Sequence, residues 1–481
     1  MVKYFFMVEK LKTYWKKFLD FITLHHEVPI HMLLLSFLTG LLGGIGAIVF
    51  RSMIAFFHNL FFYQKIDIFY NADKHSLPSP LGWFVMFVPP LAGMVVVYIV
   101  QNYAIEAKGF GTPEVLHAIY YRKGKLRPRI IGARILASSI SIGAGGSVGR
   151  EGPIVQIGGV IGSTLGQIFN LEYWQIYTLI ASGAGGGIGA AFNTPLAGVV
   201  YALEVISPEA SVRTIIPAII SAGAASYVGR LWWGNKPSFI VENTKFIIPS
   251  ITALPFEAIA FYTLLGILVG IGGAMYVYWV YYSETVFIKI SKNPYIRHFI
   301  GMTIVGFCAV MFMHFTGHYY VQGIGYATVQ DVLNQVIKNA WFLILLFFMK
   351  LLLTGVSLGS GGSGGVFSPG IFMGATLGGG IGLLAKQIDP HIPINMVSSG
   401  VVGIAAMLSS TVSAPITAVV MSFEMTRDYK VVVPSMIAAG VAFGVRRMMI
   451  HYSIDTFKLE KQGFHIPEVY VRVLHYPHKD D

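Results

Sequence analysis

The sequence predicts an all-α polytopic membrane protein, built from two related halves of broken and tilted helices. Three observations carry that prediction: charge is scarce, long stretches lack it altogether, and the second half of the chain repeats motifs of the first. Apolar residues make up 54% of the 481 residues and charged ones 12%, about half the charged share of a soluble domain. The runs 31–50, 81–105, 173–203, 258–283, 298–330, 351–385 and 390–423 contain no Asp, Glu, Lys or Arg. A bilayer crossing takes about 20 apolar residues. Several runs therefore hold two crossings, or one crossing and a re-entrant piece, and about ten or more embedded helices follow from length alone. A soluble protein with buried core helices does not produce so many long uncharged runs.

Before the first run, residues 1–29 mix aromatic and Lys residues at helical spacing between Tyr4 and Phe21. That pattern suits an interfacial amphipathic helix. Glu9, Asp20 and Glu27 argue against a transit peptide. The membrane domain is expected over 30–462, with a first repeat at about 30–230 and a second at about 255–462. Residues 207–256 are more polar (Trp232, Trp233, Asn235, Lys236, Glu242, Lys245) and suggest loops between the halves. A polar tail is expected over 463–481. The net charge of +11 does not point to nucleic acid, because the cations cluster beside apolar runs: Lys10, Lys12, Lys16 and Lys17; Arg122, Lys123, Lys125, Arg127 and Arg129; Arg446 and Arg447. This is the positive-inside pattern. It places all three clusters and both termini in the cytoplasm, for a multi-pass protein of the cell (inner) membrane with lipid as its surroundings. Cys308 is the only cysteine, so no intrachain disulfide forms.

The repeat appears when the chain is displaced on itself. Across 141–158, eight of eighteen residues match those 216 positions later, including Ser141, Gly145, Gly146, Ser147, Gly149 and Pro153. Arg134 falls on Lys350 at the same displacement. Pro195, Val199, Val200 and Glu204 fall on Pro415, Val419, Val420 and Glu424. A glycine-rich composition does not align Ser, Pro and Glu in one order. Internal repeats mark transporter folds whose site lies near the midplane, where the halves meet.

The chemistry sits in the broken segments. Gly145–Gly149 cannot be mid-helix, and Pro153 fits the first turn of a helix starting near Glu151. Gly365-Val366-Phe367-Ser368-Pro369 has the same form. Free N–H groups at a helix start, with the positive end of its dipole, bind an anion without a full cation. Partial charges release what they bind, as a pore requires. Two such breaks, one per half, converge on one ion. Glu151 is a carboxylate at such an end, so it competes with the anion and accepts a proton; its bland alternative is an ion pair with Arg150. Intramembrane acids are functional candidates by default. Gly109-Phe110-Gly111-Thr112-Pro113 is a weaker break signal. Arg134 and Lys350 suit snorkelling or structural pairing. Glu204 and Glu424 end runs that begin at Pro195 and Pro415, and suit capping. His314 and His318 stand at metal-ligand spacing, but no embedded carboxylate accompanies them in sequence, and neither metal nor cofactor is expected.

These loops resemble the three signature loops of the ClC chloride channel and chloride–proton antiporter family: Gly149-Arg150-Glu151-Gly152-Pro153, Gly365-Val366-Phe367-Ser368-Pro369 and Gly109-Phe110-Gly111-Thr112-Pro113. Asn193-Thr-Pro-Leu-Ala-Gly198 and Phe423-Glu-Met-Thr426 also resemble family segments, and the likeness spans about residues 30–460. It implies an inverted-repeat fold and a homodimer with one pore per subunit. It implies that Glu151 alternately blocks the pore and carries a proton. It implies that the N–H groups near Val366 and Phe367 hold the central anion, with the other loop residues forming the anion path. Three positions depart from the better-known exchangers. Phe110 stands in place of a Ser; Val205 stands in place of an internal proton-transfer Glu; and Asp455, in Ser453-Ile-Asp455-Thr456, stands in place of a Tyr at the central anion. Tyr452 takes that place if the register shifts.

The expected activity is transport of chloride or similar small anions, as a proton-coupled exchanger gated by Glu151. Glu204 or Asp455 is the expected inner proton relay. The alternatives are a passive anion channel, which Val205 favours, and a cation-coupled solute carrier, which Phe367 at the second break disfavours. An enzyme would need a nucleophile–base or metal constellation among the embedded helices, and the sequence does not offer one.

Overall fold

The computed structural model describes residues 28–241 and 255–467. The interfacial helix expected over 1–29 and most of the tail expected over 463–481 lie outside the described residues. The described chain is helical, and its only β-pairing consists of isolated bridges, Gly109 with Ser363 and Gly149 with Gly365. The first half runs α1 (Ile30–Tyr63), α2 (Val88–Asn102), α3 (Thr112–Tyr121), α4 (Ile130–Gly143), α5 (Glu151–Ile168), α6 (Tyr173–Phe192), α7 (Pro195–Tyr201) and α8 (Val212–Trp233). The second runs α9 (Phe256–Ile290), α10 (Pro294–Thr316), α11 (Tyr326–Leu333), α12 (Ala340–Gly359), α13 (Phe367–Ile388), α14 (Met396–Val412), α15 (Pro415–Thr426), α16 (Val432–Met449) and α17 (Phe457–Lys461). Among the described residues, eight helices are long and apolar enough to cross a bilayer, and shorter apolar helices accompany them. One crossing is α8, so the polar stretch expected to hold only loops contains a span; its cations and tryptophans cluster near the helix end, where the polarity signal arises.

The two halves repeat helix by helix. Gly145 and Gly361, 216 positions apart, both take positive φ (97° and 122°) where the chain turns out of α4 and α12. Asn193 and Ser413 both end their helices in left-handed conformation (φ 56° and 62°). The helix pairs α5–α6 and α13–α14 form the centre, and there backbones touch. A Cβ on Gly158 would lie 2.1 Å from the Gly183 carbonyl, and one on Gly403 would lie 2.3 Å from that of Gly374. Small residues permit this approach, and van der Waals contact rewards it where lipid offers no hydrophobic drive.

The embedded cations do not snorkel; both are fully buried and tie loops together. Arg134 donates to the carbonyls of Gly109 (2.8 Å) and Glu106 (2.9 Å), to Ser363 Oγ (3.1 Å) and to Gln156. Lys350 donates to the carbonyls of Gly323 (2.6 Å) and Val321 (3.1 Å). Arg446, at the end of α16, is also buried and serves the carbonyls of Ser410, Ile450 and His451, so only its neighbour Arg447 resembles a plain flanking charge.

Glu204 and Glu424 cap helices in the opposite halves. Glu204 accepts from Ile416 N (3.1 Å), Thr417 N (2.7 Å) and Thr417 Oγ1 (2.6 Å), at the start of α15. Glu424 accepts from Leu196 N (3.1 Å) and Ala197 N (2.7 Å), at the start of α7. Each carboxylate thus satisfies N–H groups its partner helix leaves open and opposes the positive dipole end. We expect Glu424→Ala to cost about 1–3 kcal/mol through the orphaned donors. It should appear as a lower thermal unfolding midpoint in detergent, with ion transport by the folded fraction retained.

Candidate functional site

The three signature loops meet at the middle of the fold and are held by backbone pairing. Gly149 N donates to Gly365 O (2.7 Å) and Gly365 N to Gly149 O (2.5 Å). Gly109 N donates to Gly362 O (3.0 Å) and Gly364 N to Gly109 O (3.1 Å). Gly152 has no room for a side chain: a Cβ would lie 2.1 Å from the Phe110 carbonyl. Gly109 and Gly111 take positive φ (75° and 93°), which lets the loop turn into Thr112 and Pro113 at the start of α3. This crossing brings the N-termini of α5 and α13 together, as the sequence implied.

Glu151 is the first residue of α5 and is fully buried. Its carboxylate does not stay on its own helix end but reaches α13. Oε2 accepts from Ser368 N (3.1 Å), and Oε1 accepts from Tyr326 Oη (2.7 Å) and Ser368 Oγ. Val366 is the cap of α13 and Phe367 its first residue, so the carboxylate sits on the first turn of that helix, one residue beyond Phe367. Ser368 and Tyr326 are the partners that sequence reasoning missed. Ser368 lies within the quoted loop Gly365–Pro369, though no role was given to it. Tyr326 had a signal in the repeat: Gly323-Ile-Gly325-Tyr326 corresponds to Gly109-Phe110-Gly111-Thr112, and Gly323 and Gly325 also take positive φ. Lys350 holds that copy as Arg134 holds the first.

The Arg150 side chain leans toward Tyr326 and Ala191. Its Nε is 3.8 Å from Glu151 Oε1, a long ion pair. Its guanidinium lies 5.2 Å above the Tyr326 ring and donates from Nη2 to Ala191 O (3.2 Å). It lines a cavity of about 150 Å³ on the other side of Tyr326, together with Arg51, Asp73, Arg230 and Lys236.

Below Phe367 lies a second group of side chains. The Tyr201 ring meets the Phe367 ring edge-on, with centroids 5.7 Å apart. Thr112 faces both Tyr201 and Asp455, and Glu114 acts on Asp455 from α3. Asp455 is 1% exposed, and among the described residues neither of its carboxylate oxygens has a hydrogen bond. Asp455, and not Tyr452, is therefore the inward residue of this turn; Tyr452 packs on Phe457 and His451 away from the loops. Glu204 is held by its α15 donors. Val205 is buried without polar function. A cavity of about 30 Å³ next to this group is lined by Lys108, Phe110, Glu284, Ile454 and Lys458. Glu284 pairs there with Lys108 (2.5 Å) and Lys458 (3.4 Å).

His314 and His318 do not share a helical face, because α10 ends at Thr316. His318 stacks on His75 (4.2 Å), which pairs with Asp331 (2.6 Å). Among the described residues no group of three His, Cys, Asp or Glu side chains is placed to hold a metal.

The seating of Glu151 generates a prediction. Tyr326→Phe removes a hydrogen bond to an ionised group, worth about 1.5–3 kcal/mol, from the state in which the carboxylate occupies the site. With an anion competing for that seat, chloride affinity at neutral pH is expected to rise about tenfold or more, measured by calorimetry on the protein in detergent.

The comparisons with known proteins bear on the fold and the family. The chain is 28% identical over 451 residues to the H(+)/Cl(-) exchange transporter ClcA of Vibrio cholerae serotype O1 (strain M66-2), covering 91% of this chain and 92% of that protein. It is 29% identical over 460 residues to the protein of the same name from Vibrio vulnificus (strain YJ016), covering 92% and 94%. Among solved structures, a slow cyanobacterial Cl-/H+ antiporter superimposes with a TM-score of 0.76 at 24% identity, over 90% of this chain and 97% of that one. A CLC-type fluoride/proton antiporter superimposes with a TM-score of 0.71 at 22% identity, over 89% and 97%. These structures share the fold. The family described as voltage gated chloride channel matches residues 92–447, and the chain belongs to that family.

Proposed function

We propose that this protein exchanges chloride for protons across a membrane, with Glu151 alternately filling the anion site and carrying the proton. The observation that carries the proposal is the seat of the Glu151 carboxylate on Ser368 N at the start of α13. Ionised, the group holds the site against an anion. Protonated, it loses its attraction to the positive helix end, leaves the site and opens it. One side chain thereby links the two fluxes. The relatives named as H(+)/Cl(-) exchange transporters support the same reading. The work is transport and not chemical catalysis.

Asp455 is the inner proton relay in this reading. A carboxylate buried this deeply is costly to keep charged, so it takes a proton from the inner side and can pass it on. Thr112 stands near both Asp455 and Tyr201, Tyr201 meets Phe367, and Ser368, next in the chain, bonds Glu151. The Lys108–Glu284–Lys458 cavity provides its polar mouth. Glu204, spent on capping, is not needed for this route. The chain works as a homodimer in the cell (inner) membrane with both termini cytoplasmic; the cation cluster at 122–129 supports that orientation. A passive channel is the second reading, favoured by Val205 at the position of an acid in exchangers.

The test uses purified protein in liposomes under a chloride gradient, with a pH electrode outside. The chloride gradient should drive protons against their own gradient. Glu151→Gln should abolish proton movement while chloride still flows. Asp455→Asn should lower proton flux about tenfold or more, the scale of a lost proton-transfer group, with chloride flux retained. Chloride flux without linked protons in the unsubstituted protein would establish the channel reading. Full coupling in Asp455→Asn would remove Asp455 from the route.

A further inference from the structure

We propose that the cavity outside Tyr326 is a binding site for a polyatomic oxyanion of the phosphate type, which closes the outer mouth of the anion path when occupied. The inference rests on the transport reading only for its consequence, not for the binding itself. Four cationic side chains line the cavity (Arg51, Arg150, Arg230 and Lys236), against one carboxylate, Asp73. The guanidinium groups are fixed rather than waving in solvent. Arg51 lies flat over the Trp233 ring at 3.9 Å. Arg150 lies over Tyr326 and is 6% exposed. Arg230 donates from Nε to Asn193 Oδ1 (2.6 Å), and Asn193 is itself anchored to the Lys236 carbonyl (2.8 Å).

This is more than a funnel for chloride. A spherical ion needs only positive potential, which partial charges already supply at α13. Guanidinium forks held on aromatic faces match the planar or tetrahedral oxygens of an oxyanion, with paired N–H donors. At about 150 Å³ the cavity has room for a multi-atom ion. Among the described residues, Arg150 Nε has no hydrogen-bond acceptor and lies 3.8 Å from Glu151 Oε1. The inner wall of the site is the Arg150–Tyr326 pair above Glu151. An ion bound there stands between the outside and the Glu151 seat. Asp73 opposes the ion and keeps its residence short.

The experiment uses inorganic phosphate as probe, first by calorimetric titration of the lipid-free protein in detergent, then as an inhibitor of chloride exchange in liposomes. Phosphate should bind in the millimolar range or tighter, and should raise the chloride concentration for half-maximal flux without lowering the maximal rate. Arg51→Gln with Arg230→Gln should weaken phosphate binding about tenfold or more, the scale of lost hydrogen bonds between charged groups. Arg51→Lys should fall between, keeping charge but losing the fork. Asp73→Asn should tighten binding. Chloride titration of each variant reports that the central site is still folded. Vesicles with and without phosphatidic acid separate the sources: inhibition by the lipid alone assigns a headgroup to the site, and inhibition by the free ion assigns a soluble oxyanion. Phosphate binding that ignores all of these substitutions, or no binding while chloride still binds, overturns the proposal. Because binding is read without flux, loss of the phosphate signal is distinguishable from failure of the exchange reading.

Discussion

An anion crossing a low-dielectric layer needs positive charge, and full cations buried there are costly and hold what they bind. In the proposed exchange, the N-terminus of α13 resolves that conflict with backbone N–H groups and a helix dipole. Much else in the molecule exists to put that helix end in the membrane interior. The glycine loops break the helices at depth, Arg134 and Lys350 hold the loops by their carbonyls, and crossed backbone pairs at Gly149–Gly365 and Gly109–Gly362 fix their relative positions. Once the positive end exists, any carboxylate within reach competes for it. Glu151 is within reach because α5 ends against α13.

Duplication built this frame, and divergence gave it a direction. Corresponding positions carry Glu151 and Phe367, Thr112 and Tyr326, Arg134 and Lys350. The left-handed glycines, the helix breaks and the reciprocal caps at Glu204 and Glu424 are shared. The titratable and hydroxyl groups at the centre are not. Tyr326 and Ser368 from the second half seat the acid of the first half, while Thr112 from the first half faces Asp455 from the second. An exact copy would treat both sides of the membrane alike; the unequal side chains distinguish them.

Much of this was legible in the sequence, because its causes are local. Uncharged runs gave the spans, and Gly-Pro punctuation gave the helix starts at Glu151 and Phe367. The repeat gave the equivalence of Arg134 and Lys350. What was hidden depends on side-chain direction or on contacts between distant segments. Arg150 adjoins Glu151 in sequence, yet it turns to Tyr326 and the outer cavity. The seat of Glu151 includes Tyr326, 175 residues away, and only the Gly323-x-Gly325 echo of Gly109-x-Gly111 pointed to it. The expectation of loops alone over 207–256 failed at α8, where terminal Trp and Arg residues masked an apolar helix. The pairing of His314 with His318 failed because Gly317 ends the helix between them.

The contact of Gly158 with Gly183, and of Gly374 with Gly403, has a mechanical meaning. Side chains between helices act as springs; they rotate, compress and let helices slide. Here carbonyl meets backbone with no such spring between. The walls around the ion are therefore stiff in both halves, and prising them apart would break contact along whole helices at once. A stiff wall confines motion to what can swing within it, which is a single carboxylate on a short arm. In the proposed exchange, the part left free to move is that carboxylate and not the helices around it.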